Sequence, residues 1–212
     1  MNDFAVYCAD IGSVRTKKFA WATDAPLPAS DSQLSATSID DLCTAVEHSL
    51  RRKQRVALGF ETPLFIPVPA ESKDLGRARA GEGDKPWSAS AGAAVLATGM
   101  AQTAWILSKL RTALPDEKLY VDWEAFSAAK SGLFIWEAFV SGASKPKASK
   151  GNPHVADASA AIDAFRISIA GATEKPPVGA ENPLSLIGAA ALWAGWTYNT
   201  SVLRAQPVVI RP

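Results

Sequence analysis

Two runs of apolar residues end abruptly in a carboxylate, and they frame the reading of the chain. Phe4-Ala-Val-Tyr-Cys-Ala9 leads into Asp10-Ile-Gly-Ser13, and Val56-Ala-Leu-Gly-Phe60 leads into Glu61-Thr-Pro63. Apolar runs of this length bounded by turn residues predict buried strands. Residues 17–23 predict a second strand, antiparallel to the first because the connection is short, and residues 33–37 a weak third. Ser38 then reads as an N-cap with Asp40 and Asp41 in the first turn. Ile39, Leu42, Val46 and Leu50 form one helical stripe, closed by Arg51, Arg52 and Lys53.

The pattern continues with a strand over 55–61 and a long Pro- and Gly-rich connection over 62–87. A helix of small residues follows over 89–114 and stops at Pro115. Residues 118–123 predict a strand, with a short helical piece to Lys130, and 133–140 a strong strand. In that strand Glu137 shares a face with Leu133, Ile135 and Phe139. A segment over 142–152 rich in Lys, Pro, Ser and Gly precedes a helix opening at Pro153 or His154, with Ala156, Ala160, Phe165 and Ile169 as its expected core positions. A loop over 173–182, a helix over 183–196 and an edge strand over 207–210 complete the chain.

Composition narrows the class. A chain of 212 residues, 48% hydrophobic and 20% charged, is expected to fold as one globular domain over 1–212. Residues 62–87 are then an inserted loop and 183–196 an extra C-terminal helix. A net charge of +1 leaves any nucleic-acid binding to a local patch. Cys8 and Cys43 lack metal-ligand spacing and read as buried free thiols of a cytoplasmic protein. Asp3 and Asp10 interrupt any signal-peptide pattern. The uncharged stretches 86–108 and 182–203 are diluted by polar residues and Gly, or too short in their apolar part to cross about 30 Å of hydrocarbon, so no membrane partner is expected.

A carboxylate at the end of a buried strand is costly unless a cation meets it. Two of them, on strands able to lie side by side, point to a divalent metal. Further acids stand at Glu137, in a later strand, and at Asp157, near the start of the next helix. Ala-Asp10-Ile-Gly-Ser resembles the opening of RNase H-like proteins, Phe60-Glu61-Thr-Pro-Leu their acid-Xaa-Pro turn, and His154-Val-Ala-Asp157-Ala-Ser-Ala-Ala-Ile the acidic last helix of Holliday-junction resolvases. The set is most similar to uncharacterised predicted RNase H-like nucleases, over most of residues 3–171. The resemblance implies an α/β RNase H-like fold, a mixed central sheet flanked by helices. It also implies a nuclease cutting DNA or RNA with Mg²⁺ or Mn²⁺ held in a two-metal carboxylate site. Asp10, Glu61 and Asp157 would be the metal ligands, and Glu137 would complete the catalytic set. The second acid of the last-helix motif falls on Ser159 or Ala160, so the fourth carboxylate stays open between Asp157 and Asp163.

Other readings stand beside these. Asp10 alternatively caps a turn, Glu61 pairs with Arg77 or Arg79, Glu137 faces water from an edge strand, and Asp157 only complements a helix dipole. Arg77, Arg79, Lys145, Lys147 and Lys150 are candidate phosphate-binding groups, or else fasten or solvate their own loops. His154, on the face of Asp157, is a candidate proton carrier or an ordinary exposed residue. Trp21, Trp87, Trp123 and Trp136 stack on bases or belong to the core. The alternative function is a catalytically silent binding or assembly subunit, with the small-residue helices driving homo-oligomer or larger-complex formation.

Overall fold

The computed structural model describes residues 4–26, 35–83, 86–140, 151–171 and 178–212. Its elements are β1 (Phe4–Asp10), β2 (Ala20–Thr23), α1 (Ile39–Arg51), β3 (Arg55–Phe60), β4 (Phe65–Pro67), α2 (Ser90–Ala113), β5 (Leu119–Tyr120), α3 (Trp123–Ser127), β6 (Leu133–Ala138), α4 (Pro153–Ile169), β7 (Pro183–Ser185), α5 (Leu186–Trp193) and β8 (Val209–Ile210). The main sheet runs β2-β1-β3-β6-β5. β2 lies antiparallel to β1, while β1, β3 and β6 are mutually parallel. β5 pairs with the start of β6 and β8 with its end, so two short strands share that edge. The chain is thus α/β, with a mixed central sheet flanked by helices.

The unbroken apolar runs of β1 and β3 follow from their central position, since both faces are covered. On one face Tyr7, Ala9, Leu58, Phe60, Leu133 and Ile135 pack under α1, α2 and α5. On the other, Val6, Cys8, Ala57, Phe134 and Trp136 meet Phe126 of α3 and Ala158, Ala161, Ile162 and Phe165 of α4. Gly59 has no room for a side chain on that face, because a Cβ would overlap the Trp136 indole. Helix α1 buries its expected stripe, and the Ser38 side chain accepts from the Asp41 N–H. Of the expected α4 core positions, Phe165 is buried and Ile169 packs against the same cluster, while Ala156 and Ala160 are only half-buried and Asp157, Ala158, Ala161 and Ile162 face in. Asp157 belongs to the inward face because it meets the sheet end where Asp10 and Glu61 stand.

Three other expectations need correction. Ser35–Thr37 form no strand, although the Ala36 carbonyl accepts one bond from the Trp21 N–H; Gln33 and Leu34 lie outside the described residues. The 62–87 connection is structured where described. Its β4 pairs antiparallel with β7 in a second, two-stranded sheet, and the Leu64 carbonyl accepts from the first N–H groups of α5. The final helix starts only at Leu186, because Pro183–Ser185 are drawn into that sheet and Ser185 caps the helix through the Gly188 N–H. Helix α2 is the one described helix long and apolar enough to cross a membrane. Here Gly99, Thr103, Ile106, Leu107 and Leu110 are buried where it packs with α1 and α5.

Candidate metal centre

Asp10 is the last residue of β1 and Glu61 the first beyond β3. The Glu61 N–H donates to the Ala9 carbonyl at 2.9 Å, extending the parallel ladder by one residue and setting the two acids side by side. Thr62 then turns onto α2, its hydroxyl donating to the Val95 carbonyl, where Gly99 leaves space for it. By the period of two along a strand, Asp10 follows Cys8 and Glu61 follows Gly59, on the face that α4 covers. Helix α4 opens there with Asn152 as N-cap, accepting from the His154 N–H, and Pro153 in the first turn. That start delivers Asp157 to the strand ends.

One carboxylate oxygen from each of Asp10, Glu61 and Asp157 lies within 4.8 Å of the others. Asp10 and Asp157 are each 6% exposed, and Glu61 is half-buried. A neighbour registers their field. The Cys8 thiol, two residues before Asp10, is pushed well above its ordinary pKa, first by burial and then by the charges of Glu61 and Asp10. Cys8 is therefore a protonated core thiol. Cys43 is only half-buried, and burial with Asp40 nearby pushes it up to about 12. His154 Nδ1 lies 2.7 Å from Asp10 Oδ2, which ties α4 to β1 from three residues before Asp157.

Glu137 does not join this group. Arg79 clasps it in a two-pronged pair at 2.8 and 2.6 Å, and the Leu64 N–H donates to the same carboxylate at 2.9 Å. Arg79 also binds Glu82 and lies over the Phe65 ring. Burial pushes the Glu137 carboxyl above its usual range, opposed by Arg79. For Arg79, burial works against the charge but the two carboxylates override it, and its net shift is upward. The expectation of a fourth site carboxylate at Glu137 is thus corrected: both its oxygens are engaged in holding the 62–87 segment to β6. Arg79 is corrected likewise, since a buried guanidinium cannot receive a phosphate from solvent. Glu61 pairs with neither arginine in the contacts described, and Arg77 is bound to Asp74 at the surface. Asp157 faces the cluster while Asp163 is exposed. Lys145, Lys147 and Lys150 lie outside the described residues. Trp21 and Trp136 are buried, Trp123 packs among Phe4, Phe126, Phe134 and Phe165, and the half-buried Trp87 donates to the Arg77 carbonyl.

No family model, curated protein or solved structure matches this chain. The centre is therefore read from its own donor set. Three carboxylates offer only hard oxygen ligands, as Mg²⁺, Mn²⁺ and Ca²⁺ prefer. With ion–oxygen distances of about 2.1–2.5 Å, opposite ligands of one ion stand about 4–5 Å apart. The spacing of these acids fits a single such ion. Two supporting residues escape sequence reading. Glu82 completes the Arg79 clasp, and its i,i+3 spacing from Arg79 was the available signal. Gln102, which only dilutes an apolar stretch in the sequence, donates at 2.6 Å to the Gly12 carbonyl just beyond Asp10.

Proposed function

We propose that this chain is an RNase H-like hydrolase of phosphodiester bonds in DNA or RNA, working with Mg²⁺ or Mn²⁺ at Asp10, Glu61 and Asp157. The observation that carries the reading is convergence. Acids from positions 10, 61 and 157, on two adjacent parallel strands and one helix, meet at one end of the sheet. The order of an antiparallel strand beside β1, followed by parallel β3 and β6, supports the RNase H-like assignment.

A bound ion would polarise the phosphate and lower the pKa of an attacking water. Asp10, Glu61 and Asp157 would hold it. His154 Nδ1 orients the Asp10 carboxylate, leaving Nε2 as the atom that exchanges a proton with the reacting groups. Glu137 takes no part. A second ion of a two-metal mechanism would draw the rest of its oxygen ligands from substrate phosphate and water. The free-thiol state of both cysteines agrees with a cytoplasmic location.

The test is cleavage of labelled single-stranded, duplex and branched DNA and RNA in Mn²⁺ or Mg²⁺. Metal-dependent cutting that Asp10→Asn and Glu61→Gln abolish is the expected result. Wild-type protein inert on every substrate would overturn the hydrolase reading. It would favour the assembly-subunit alternative, which the outward face of α2 supports: Ala91, Ala94, Ala97, Ala101 and Trp105 are exposed there.

A further inference from the structure

We infer that the β1–β2 turn, Ser13 to Lys18, is a contact for the phosphate backbone of a nucleic acid. The inference rests on the proposed hydrolase reading and assigns the residues that hold its substrate. All six residues of the turn are exposed, and three of them, Arg15, Lys17 and Lys18, are cationic with no acid between. The turn leaves β1 directly after Asp10, so it stands at the same end of the sheet as the carboxylates.

It is also well held. Lys18 N–H donates to the Ser13 carbonyl at 2.9 Å and Lys17 N–H to the Val14 carbonyl at 3.2 Å. Ile11 and Phe19 anchor its two ends in the core, and Gln102 grips Gly12. Gly12 is required by the close approach of the Lys18 backbone. The cations are thus presented from a braced turn with less entropy to lose on binding.

Among the described residues Arg51, Lys53, Arg77, Arg79 and Arg166 are engaged with carboxylates. Arg55 and Arg211 donate to backbone carbonyls. Arg15, Lys17 and Lys18 have no ion-pair partner among the described residues. Exposed Arg52, Lys73, Lys118 and Lys130 likewise lack an ion pair among the described residues, so what sets the turn apart is three cations within four positions just beyond Asp10. Three adjacent cations beside an anionic metal centre suit a polyanion that must pass over that centre. Lysine and arginine contacts of this kind hold phosphates without reading sequence.

The test is the salt dependence of binding, read by fluorescence anisotropy of labelled single-stranded and duplex DNA and RNA in Ca²⁺, between about 50 and 200 mM salt. Each phosphate contact contributes about 0.7–0.9 to the slope of log K against log salt. The triple variant Arg15→Gln/Lys17→Asn/Lys18→Gln should therefore lower the slope by about 2–3, and each single variant by just under 1. Asn is chosen at Lys17 because φ there is 55°, which Asn tolerates. Lys118→Gln/Lys130→Gln, which removes cations ahead of β5 and β6 at the opposite end of the sheet, should leave the slope unchanged. Wild-type binding whose slope survives the turn variants would overturn the inference and leave the hydrolase reading standing. An equal loss in the distal variant would overturn it as a net-charge effect. Wild-type protein that binds none of the four probes would overturn the inference, and the hydrolase reading would fall with it only if branched substrates were also left uncut.

Discussion

Arg79→Met tests the assignment of Glu137 to the framework. The wild-type guanidinium and the Glu137 carboxylate are each at most 1% exposed in their side chains, so removing Arg79 leaves Glu137 and Glu82 buried without their cation. Breaking a buried pair from one side costs about 3–5 kcal/mol. For a chain of this size each kcal/mol lowers Tm by about 2–4 °C, so the variant should melt about 6–20 °C below wild type. Glu137→Gln keeps an acceptor for Leu64 N–H and should lose less, about 1–3 kcal/mol. The double variant Arg79→Met/Glu137→Gln should be more stable than Arg79→Met alone, because one stranded charge is gone. The pH dependence has a definite sign. Burial already raises the native Glu137 carboxyl, and loss of Arg79 raises it further, while an unfolded Glu titrates near ~4.3. Proton uptake then favours the folded state, so the deficit of Arg79→Met is smallest in acid and widens as pH rises towards neutrality. Differential scanning calorimetry over pH 4–8, with and without Mn²⁺, is the assay. Arg79→Met melting within about 2 °C of wild type at neutral pH would refute the framework role. Folded Glu137→Gln without the wild-type metal response would return Glu137 to the centre.

Three further outcomes are expected. Gly59→Ala forces a methyl into the Trp136 indole and should cost about 1–3 kcal/mol by overpacking, read by chemical denaturation; an unchanged midpoint would contradict the packing. Asp157→Asn should abolish metal-dependent cleavage while Asp163→Asn retains it, and the reverse result would move the helix ligand to the exposed acid. Cys43 is pushed up to about 12 in the fold, so between about pH 9 and 12 the unfolded chain loses a proton that the native state keeps. Stability should then fall by up to about 1.4 kcal/mol per pH unit from this thiol. Cys43→Ser should flatten that slope, and an unaltered slope would refute its origin.

The central strands, α1 and the two strand-end acids were legible because each rests on local pattern. Continuous apolar runs mark strands covered on both faces, and Asp10 and Glu61 stand where those runs break. In α4, Phe165 and Ile169 were legible, but the first turns were misphased because an inward acid breaks the apolar pattern and the acids it faces, Asp10 and Glu61, lie far away in sequence. Glu137 and Arg79 could not be paired from sequence. Their contact spans 58 residues and depends on how the 62–87 segment folds back over β6. The same long-range pairing hid β4 and β7, since a three-residue strand has no periodicity to detect. In the basic turn, Lys17 and Lys18 read as the polar start of a strand, and Arg15 as part of the short connection before it. The turn's bearing on the site depends on Asp10 standing at its foot.

The central claim is that Asp10, Glu61 and Asp157 hold a divalent cation in the folded protein. A thermal-shift titration with Mn²⁺ and Mg²⁺ on wild type and Asp10→Asn tests it most directly. At about 100 times Kd the ion should add ~2.7 kcal/mol to wild-type stability, a rise in Tm of about 5–11 °C, and Asp10→Asn should show no rise. An equal rise in both proteins, or none in wild type at saturating metal, would contradict the claim.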